Sequence, residues 1–489
     1  MQRKQNEEKR PRRNVSKKNN GIHNGEIIAV SVCVVALMLG LIWNIVDYML
    51  HEKEEAINNS FNPRQELLAS QNIRGSIYSA DGEVLAKTRV LEDGTEQRYY
   101  PYANLFAHVV GHSAKGKTGI EYSENMKMIT SHASLSNKIQ NEINAEKNLG
   151  DNVITTLDVS LQEVAHNALG VYSGVIVVTE PSTGKILAMV SKPDYDPNEI
   201  AVIWEDLLVD DSSSVLLNRA TQGLYPPGST FKIVTALEYY RQNDGNTSSY
   251  YYSCGGRFTK DGNTIRCYHG QNHGSIDFAR SFAKSCNSSF ANIGTSLDIT
   301  EFQNTCKQLL FNSEMKMEIP YKQSQFSLSV SDVTDTVMQT SIGQGKTQVS
   351  PMHLNMITAA IANDGVCMTP YVVDRIESAT GSVVKKNSPS QETVMMTEEE
   401  AAFMTELMAG VVTSGTASKL DGLSYTAAGK TGSAEYSANK DDSHAWFTGF
   451  APVEDPQICV TVIVESAGSG GDYAVPIAKR VFDEFFGTN

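Results

Sequence analysis

No internal repeat runs through the 489 residues and no heptad pattern is sustained, which excludes a solenoid and a coiled coil. Basic charge is also short, 41 Lys and Arg against 56 Asp and Glu, a formal −15. A phosphate-binding surface needs a basic face, so nucleic acid is excluded as the main partner. A nucleotide phosphate loop is suggested by Gly429-Lys430-Thr431, but that motif needs a further glycine at position 424, where the chain has Ser424. What remains is a composition suited to packed cores, 40% apolar and 20% charged, in a chain long enough for two or more domains.

Charge is unevenly placed. Residues 1–25 carry eight Lys and Arg against Glu7 and Glu8, a net +6, which leaves −21 on the rest. This tail leads into Ile27–Val46, 20 residues without Asp, Glu, Lys or Arg, just enough to span a hydrocarbon core as a helix. Asp47, Glu52, Glu54 and Glu55 follow, so the positive-inside rule puts the tail in the cytoplasm and everything after residue 50 outside. The run is long for a signal peptide and no A-x-A cleavage site follows, which favours an uncleaved, single-pass anchor.

The expected organisation is a cytoplasmic tail at 1–25, an anchor at 26–48, a first external module at 49–151 and a larger domain at 152–489. In the first module, Asp81-Gly82 between short apolar runs predicts a hairpin, and the polar stretch around Ser134–Asn152 looks like a junction. Beyond it, Val153–Leu157 is a strand, Ser160–Leu169 an amphipathic helix, and Val175–Val178 and Ile186–Val190 flank a turn. Trp446–Phe450 and Ile458–Val464 alternate like strands and Pro476–Phe486 closes as a helix. Early and late strands around a helical middle predict an α+β domain with one sheet completed from both ends.

Three short segments carry chemistry. Tyr225-Pro226-Pro227-Gly228-Ser229-Thr230-Phe231-Lys232 precedes an apolar helical run, so Ser229 starts a helix and Lys232 shares its face. A serine hydroxyl needs a base, and a lysine can serve only if its pKa, ordinarily about 10.4, falls substantially. S-x-x-K alone is uninformative, since it recurs at Ser182, Ser281, Ser313, Ser382 and Ser437 without that context. Ser285-Cys286-Asn287 puts a hydroxyl and an amide where both can face one cleft. In Lys430-Thr431-Gly432-Ser433, small residues let a substrate lie along an edge strand and Lys430 offers a cation to a carboxylate. Cys254 and Cys267 share a Gly-rich loop with His269 and His273, a spacing that loosely resembles a zinc site. The expectation is that the two cysteines are paired or free, that no metal is bound and that no cofactor is used.

The ordered set S-x-x-K, S-x-N, K-T-G resembles β-lactamases and penicillin-binding proteins. Further segments make the chain similar to the class B, monofunctional penicillin-binding proteins. They include Arg74-Gly75, Gly119-Ile120-Glu121, Asn218-Arg219-Ala220, Gly343-Gln344-Gly345, Ala362-Asn363-Asp364-Gly365 and Trp446-Phe447-Thr448-Gly449. The resemblance implies a penicillin-binding/serine β-lactamase-like transpeptidase domain, an antiparallel sheet with helices plus a helical lobe, behind a small β-rich, non-catalytic pedestal. It implies a peptidoglycan D,D-transpeptidase of the cytoplasmic membrane, serving cell shape or division. Stem peptides ending in D-Ala-D-Ala would be its substrate, β-lactams its covalent inhibitors and a membrane glycosyltransferase its partner.

On that resemblance Ser229 is the nucleophile, Lys232 its base, and Ser285 with Lys430 a proton path to the leaving amine. Asn287 orients the peptide, Thr431 and Ser433 receive the terminal carboxylate beside Gly432, and the Ser229 and Ser433 N–H groups form the oxyanion hole. The rival reading is a catalytically idle β-lactam sensor or a scaffold of a cell-wall complex. A β-lactamase would need a Glu-x-x-Leu-Asn segment between Asn287 and Lys430, and none is there.

Overall fold

The computed structural model describes residues 24–48, 62–209, 214–435 and 443–488. The chain divides into two compact units, residues 1–59 and 60–489. In the first, helix α1 (Asn24–Asp47) contains Ile27–Asp47, long and apolar enough to cross a membrane and with none of it buried. Most of the basic tail and residues 49–61 lie outside the described residues.

The second unit is organised by two large sheets, beside four two-stranded ones among the described residues. The elements that build the large sheets and their cover begin with strands β1 (Ile77–Tyr78), β2 (Val84–Val90), β3 (Glu96–Tyr99) and β4 (Asn152–Thr155), then helix α2 (Val159–Leu169). Strands β5 (Gly174–Thr179) and β6 (Ile186–Lys192) precede helices α3 (Lys232–Gln242), α4 (Asn287–Gly294) and α5 (Pro351–Ala362). The chain ends with β7 (Val373–Glu377), β8 (Val383–Lys386), β9 (Ala428–Glu435), β10 (Ser443–Ala451), β11 (Ile458–Val464) and helix α6 (Ala474–Phe485).

The central sheet has the order β9-β10-β11-β5-β6 and is antiparallel throughout. Early and late strands therefore complete one sheet, as expected. Every residue of β5 and β11 is buried, so both faces are covered, and the alternation expected over Ile458–Val464 is not seen, because a strand covered on both faces has no solvent side. Helices α2 and α6 pack together, with α6 against β11, and α5 lies on the sheet with both apolar and polar side chains buried. Asn355 accepts from Thr179 Oγ1 at 2.6 Å, and the Thr358 and Thr448 hydroxyls are 2.7 Å apart. Edge strand β9 keeps one side unpaired among the described residues.

The other sheet, β8-β7-β4-β1-β2-β3, joins the early hairpin strands to residues 373–386. The turn expected at Asp81-Gly82 connects β1 to β2, with Gly82 at φ 90°. The stretch expected as a junction instead contains the helix Leu135–Asn144, capped by Ser134 and with no buried residue. Its apolar side chains, Leu135, Ile139 and Ile143, recur at helical spacing but are exposed, so burial does not announce the element.

Beneath the hairpin, Glu121 is fully buried between Arg74 and Arg98. Arg74 Nε and Arg98 Nε each donate to its carboxylate at 2.7 Å, and Arg74 also donates to Asn125 Oδ1 at 2.6 Å. Burial alone pushes this carboxyl up, but the two guanidiniums more than reverse that and hold it below its ordinary value. Removing the charge leaves two buried cations uncompensated, a change that typically costs about 3–5 kcal/mol. Glu121→Gln is therefore expected to lower the unfolding temperature clearly in a thermal melt of the full chain. An unchanged melt would show that the buried network carries no stability.

Candidate active site

The first chemical segment forms a tight turn. Gly228 adopts φ 53°, its N–H donates to Gly343 O at 2.9 Å, and Gly228–Phe231 makes one 3₁₀ turn that runs directly into α3. Trp446 Nε1 on β10 donates to Pro226 O at 3.1 Å and pins the turn to the sheet. Ser229 thus stands at the head of the helix, with Lys232 one turn on, as the spacing predicts.

Lys232 is fully buried, and its Nζ lies 3.0 Å from Ser229 Oγ. It donates also to Ser285 O and Asn287 Oδ1, both at 2.7 Å, and to Ser285 Oγ at 3.2 Å. No carboxylate pairs with it among the described residues. Burial pushes its ammonium down to about 7, against a smaller opposing pull from Cys286 and Cys267. A lysine neutral near pH 7 and within reach of a hydroxyl can take its proton.

Ser285 has φ 53°, a left-handed conformation sparsely occupied by residues other than glycine. That turn ends the helix Phe278–Ala283 and starts α4, with Cys286 as N-cap. It directs both the carbonyl and the hydroxyl of Ser285 at Lys232. The hydroxyl accepts in addition from Lys430 Nζ at 2.9 Å, so Ser285 links the two lysines. Asn287 spends its other end on Arg266 O, donating at 3.1 Å.

Lys430 stands beside Ser285, as the resemblance implies, but it does not face the groove as a cation for a substrate carboxylate: it is fully buried, and its head turns inward to Ser285 Oγ and to Thr431 O at 3.0 Å. Burial first, and Lys232 second, hold it far below the ordinary lysine value. Along β9 the residues that line the groove are Thr431, Gly432, Ser433 and Glu435. Gly432 sits tightly against its neighbours, since a Cβ there would come within 3.1 Å of Thr230 Cγ2, Pro227 O and Trp446 Cβ.

The groove has a volume of about 650 Å³, in the range of small-molecule sites, and brings Ser229, Ser285 and Asn287 together with β9. Sequence reasoning missed three of its features. The Thr416 hydroxyl lies 2.5 Å from that of Thr431, Gly470 N donates to Ser433 Oγ at 3.4 Å, and Gln344 reaches the groove from between two glycines. The run Gly468-Ser469-Gly470-Gly471 was a usable signal, whereas nothing local marks Thr416.

Comparison with known proteins settles the family. Residues 174–483 match the penicillin-binding protein transpeptidase domain, and residues 74–153 match the dimerisation domain of penicillin-binding protein A. This chain belongs to the penicillin-binding protein transpeptidase family. It is 30% identical to the peptidoglycan D,D-transpeptidase PbpA of Mycolicibacterium smegmatis, over 93% of this chain and 98% of that protein. The D,D-transpeptidase domain of a peptidoglycan glycosyltransferase from Eggerthella lenta superimposes with TM-score 0.78 at 29% identity, covering 86% of this chain and 99% of that one. Penicillin-binding protein A of M. tuberculosis, as its penicillin G acyl-enzyme, gives 0.77 at 27% identity, covering 85% and 100%. The expected α+β family fold is thereby established, and so is the membership that the ordered motifs imply.

Two outcomes follow from the lysine pair. If neutral Lys232 is the reactive form, the second-order rate of acylation by benzylpenicillin rises with pH through about 7 and levels above it. A rate flat across that range in stopped-flow measurements would contradict this. Lys232→Met should lower the same rate by about 10²–10⁴-fold, the usual span for loss of base catalysis.

Proposed function

We propose that this chain is a membrane-anchored peptidoglycan D,D-transpeptidase that works through an acyl-enzyme on Ser229. The observation that carries the reading is the contact of Lys232 Nζ with Ser229 Oγ at 3.0 Å, in a groove bordered by an open strand edge. The names of its relatives, PbpA of M. smegmatis among them, support the same activity.

A stem peptide lies against β9, with its terminal carboxylate at the Thr431 and Ser433 hydroxyls and its penultimate D-alanine carbonyl over Ser229. Lys232 takes the hydroxyl proton as Oγ bonds to the carbonyl carbon. The Ser229 and Ser433 N–H groups stabilise the oxyanion, an effect typically worth several kcal/mol. The C–N bond then breaks, and the departing D-alanine nitrogen gains a proton along Lys232, Ser285 Oγ and Lys430, three groups already in hydrogen-bond contact. Asn287 holds the peptide and Lys232 in register. An amine of a second stem peptide attacks the ester, forming the cross-link and freeing Ser229.

In this reading residues 1–25 are cytoplasmic, 26–48 span the membrane, 49–151 form a non-catalytic pedestal, and 152–489 form the catalytic domain outside. The charge step across Ile27–Val46 supports that orientation. A transpeptidase without its own polymerase needs strands to join, which makes a membrane glycosyltransferase its natural partner. An idle sensor or scaffold is disfavoured, because Ser229, Lys232, Ser285 and Lys430 form one continuous hydrogen-bonded set.

A β-lactam should acylate Ser229 and remain, since ring opening leaves no departing group and the chain lacks the glutamate segment of class A β-lactamases. Intact-mass spectrometry with benzylpenicillin should show one adduct that persists for minutes and is absent in Ser229→Ala. Turnover of many equivalents would make the protein a β-lactamase instead. With a labelled pentapeptide, cross-linked dimer is expected, and D-alanine release alone would identify a carboxypeptidase.

A further inference from the structure

The usable edge of β9 is shorter than the strand. Along an antiparallel edge the backbone N–H and C=O of alternate residues point outward, and where β9 borders the groove these belong to Thr431, Ser433 and Glu435. Thr431 O already accepts from Lys430 Nζ at 3.0 Å. Glu435 is engaged on both groups. The side-chain NH2 of Gln344 donates to Glu435 O, and the amide oxygen of Gln344 accepts from Glu435 N–H, each at 3.2 Å. Of the three residues, Ser433 alone keeps both outward backbone groups without a partner among the described residues.

Gln344 is held firmly in this position. It follows the helix Thr334–Ser341, in a turn between Gly343 and Gly345 at φ 78° and 82°. Its own N–H donates to Gln339 O at 2.9 Å, and Gly343 O accepts from the N–H of Gly228, the residue before the nucleophile, also at 2.9 Å. A Cβ on Gly343 would come 1.9 Å from Gly228 O, so the two turns lie backbone against backbone. The side chain of Gln344 therefore starts from a point fixed relative to Ser229. A primary amide carries the same donor and acceptor as a peptide group, and engaging both groups of one residue is the pattern of a hydrogen-bonded antiparallel pair. Gln344 thus stands where one residue of an added strand would be.

We propose that Gln344 is a specificity-determining residue that ends the donor strand at Ser433. The proposal rests on the transpeptidase reading above and defines which donors that site takes. With the penultimate D-alanine carbonyl oxygen at Ser433 N–H, the N–H of the same D-alanine donates to Ser433 O, which completes one antiparallel pair. The next such pair lies two residues on, about 7 Å away, and would join Glu435 to the residue two before the penultimate D-alanine. Gln344 fills that place, so the donor chain leaves the edge after a single pair. An extended peptide of ordinary α-amino acids gains nothing there from its length. A donor that is branched, or that carries a longer linkage at that point and cannot keep strand register, loses nothing. The site selects a D-Ala-D-Ala end on a chain that need not be a strand, and it gives extended protein chains no advantage.

The test compares N-methylated donors on the full chain in detergent. The parent is an acetylated, α-linked pentapeptide ending in D-Ala-D-Ala, with kcat/KM read from D-alanine release. Methylating the nitrogen of the penultimate D-alanine removes the bond to Ser433 O and should lower kcat/KM by about 5-fold or more, the usual effect of leaving a buried acceptor unpaired. Methylating the nitrogen two residues earlier should change it by less than about 2-fold, because no bond is made there. In Gln344→Ala the edge at Glu435 is open, so the earlier methyl group should now cost about 5-fold against the parent. Each ratio is taken within one enzyme, which cancels any general loss of activity in the variant. Where release is too slow to follow, the same ratios are read from the peptide concentrations that halve the rate of benzylpenicillin acylation. If the two methyl groups cost the unaltered chain equally, the donor displaces Gln344 and the proposal is overturned. It is also overturned if Gln344→Ala remains indifferent to the earlier methyl group. Should that variant fail to fold, the unaltered chain still decides. Absence of any benzylpenicillin adduct would instead refute the Ser229 reading on which the proposal rests.

Discussion

Two lysine side chains are buried side by side with no carboxylate to pair them among the described residues, and the active site is organised around that constraint. An isolated ammonium costs far more to bury than a neutral amine, so burial drives both groups toward the uncharged form. Lys232 also disfavours charge on Lys430, as the second cause after burial. A shared hydroxyl, Ser285 Oγ, accepts from both at 2.9 and 3.2 Å. Their nearest ring faces, Phe282 and Phe290, lie 5.5 Å away and offer only weak attraction to a cation. The arrangement keeps a lysine basic enough to accept a proton and neutral enough to do so near pH 7.

Holding the lysines dry requires the helix head and the edge strand to meet almost backbone to backbone. Glycines make that approach possible. A Cβ on Gly228 would come 2.8 Å from Ser433 O, and one on Gly470 would come 2.3 Å from Trp446 O and 2.5 Å from Gly432 O. Gly228 also needs its positive φ, which an alanine would resist. Because the strands behind β9 are buried on both faces, the edge is backed by a stiff sheet, and the groove is set by backbone positions rather than by adaptable side chains.

Much of this was legible in the sequence where the determinants are local. The Pro-Pro-Gly break before an apolar helix fixes where Ser229 and Lys232 stand, and all-apolar runs such as Val175–Val178 announce buried strands. Pairings set by distant segments were not legible. Nothing near residue 77 indicates that its strand shares a sheet with residues 373–386, because the partner surface exists only after folding. The inward turn of Lys430 was legible only through the resemblance, which pairs it with Ser285. From residue type alone a lysine on an edge strand reads as facing solvent, and its contact with Ser285, 145 positions earlier, shows otherwise. Likewise Thr416 gains meaning only against Thr431.

The second segment shows how far one short motif can be shared between structural and chemical tasks. Ser285 supplies the hydroxyl between the lysines, Asn287 supplies the amide that holds Lys232, and Cys286 between them faces the other way, its Sγ 3.7 Å from that of Cys267. In a tight turn, neighbouring side chains diverge, so the middle position is free of the substrate but not of the turn's geometry. A bulky or mobile group there would loosen both active-site neighbours at once. A residue anchored from behind by packing confines the turn to its left-handed conformation. Ser285 would not hold that conformation without support, since an isolated serine disfavours it. The reactive geometry in front of the turn therefore depends on what is packed behind it.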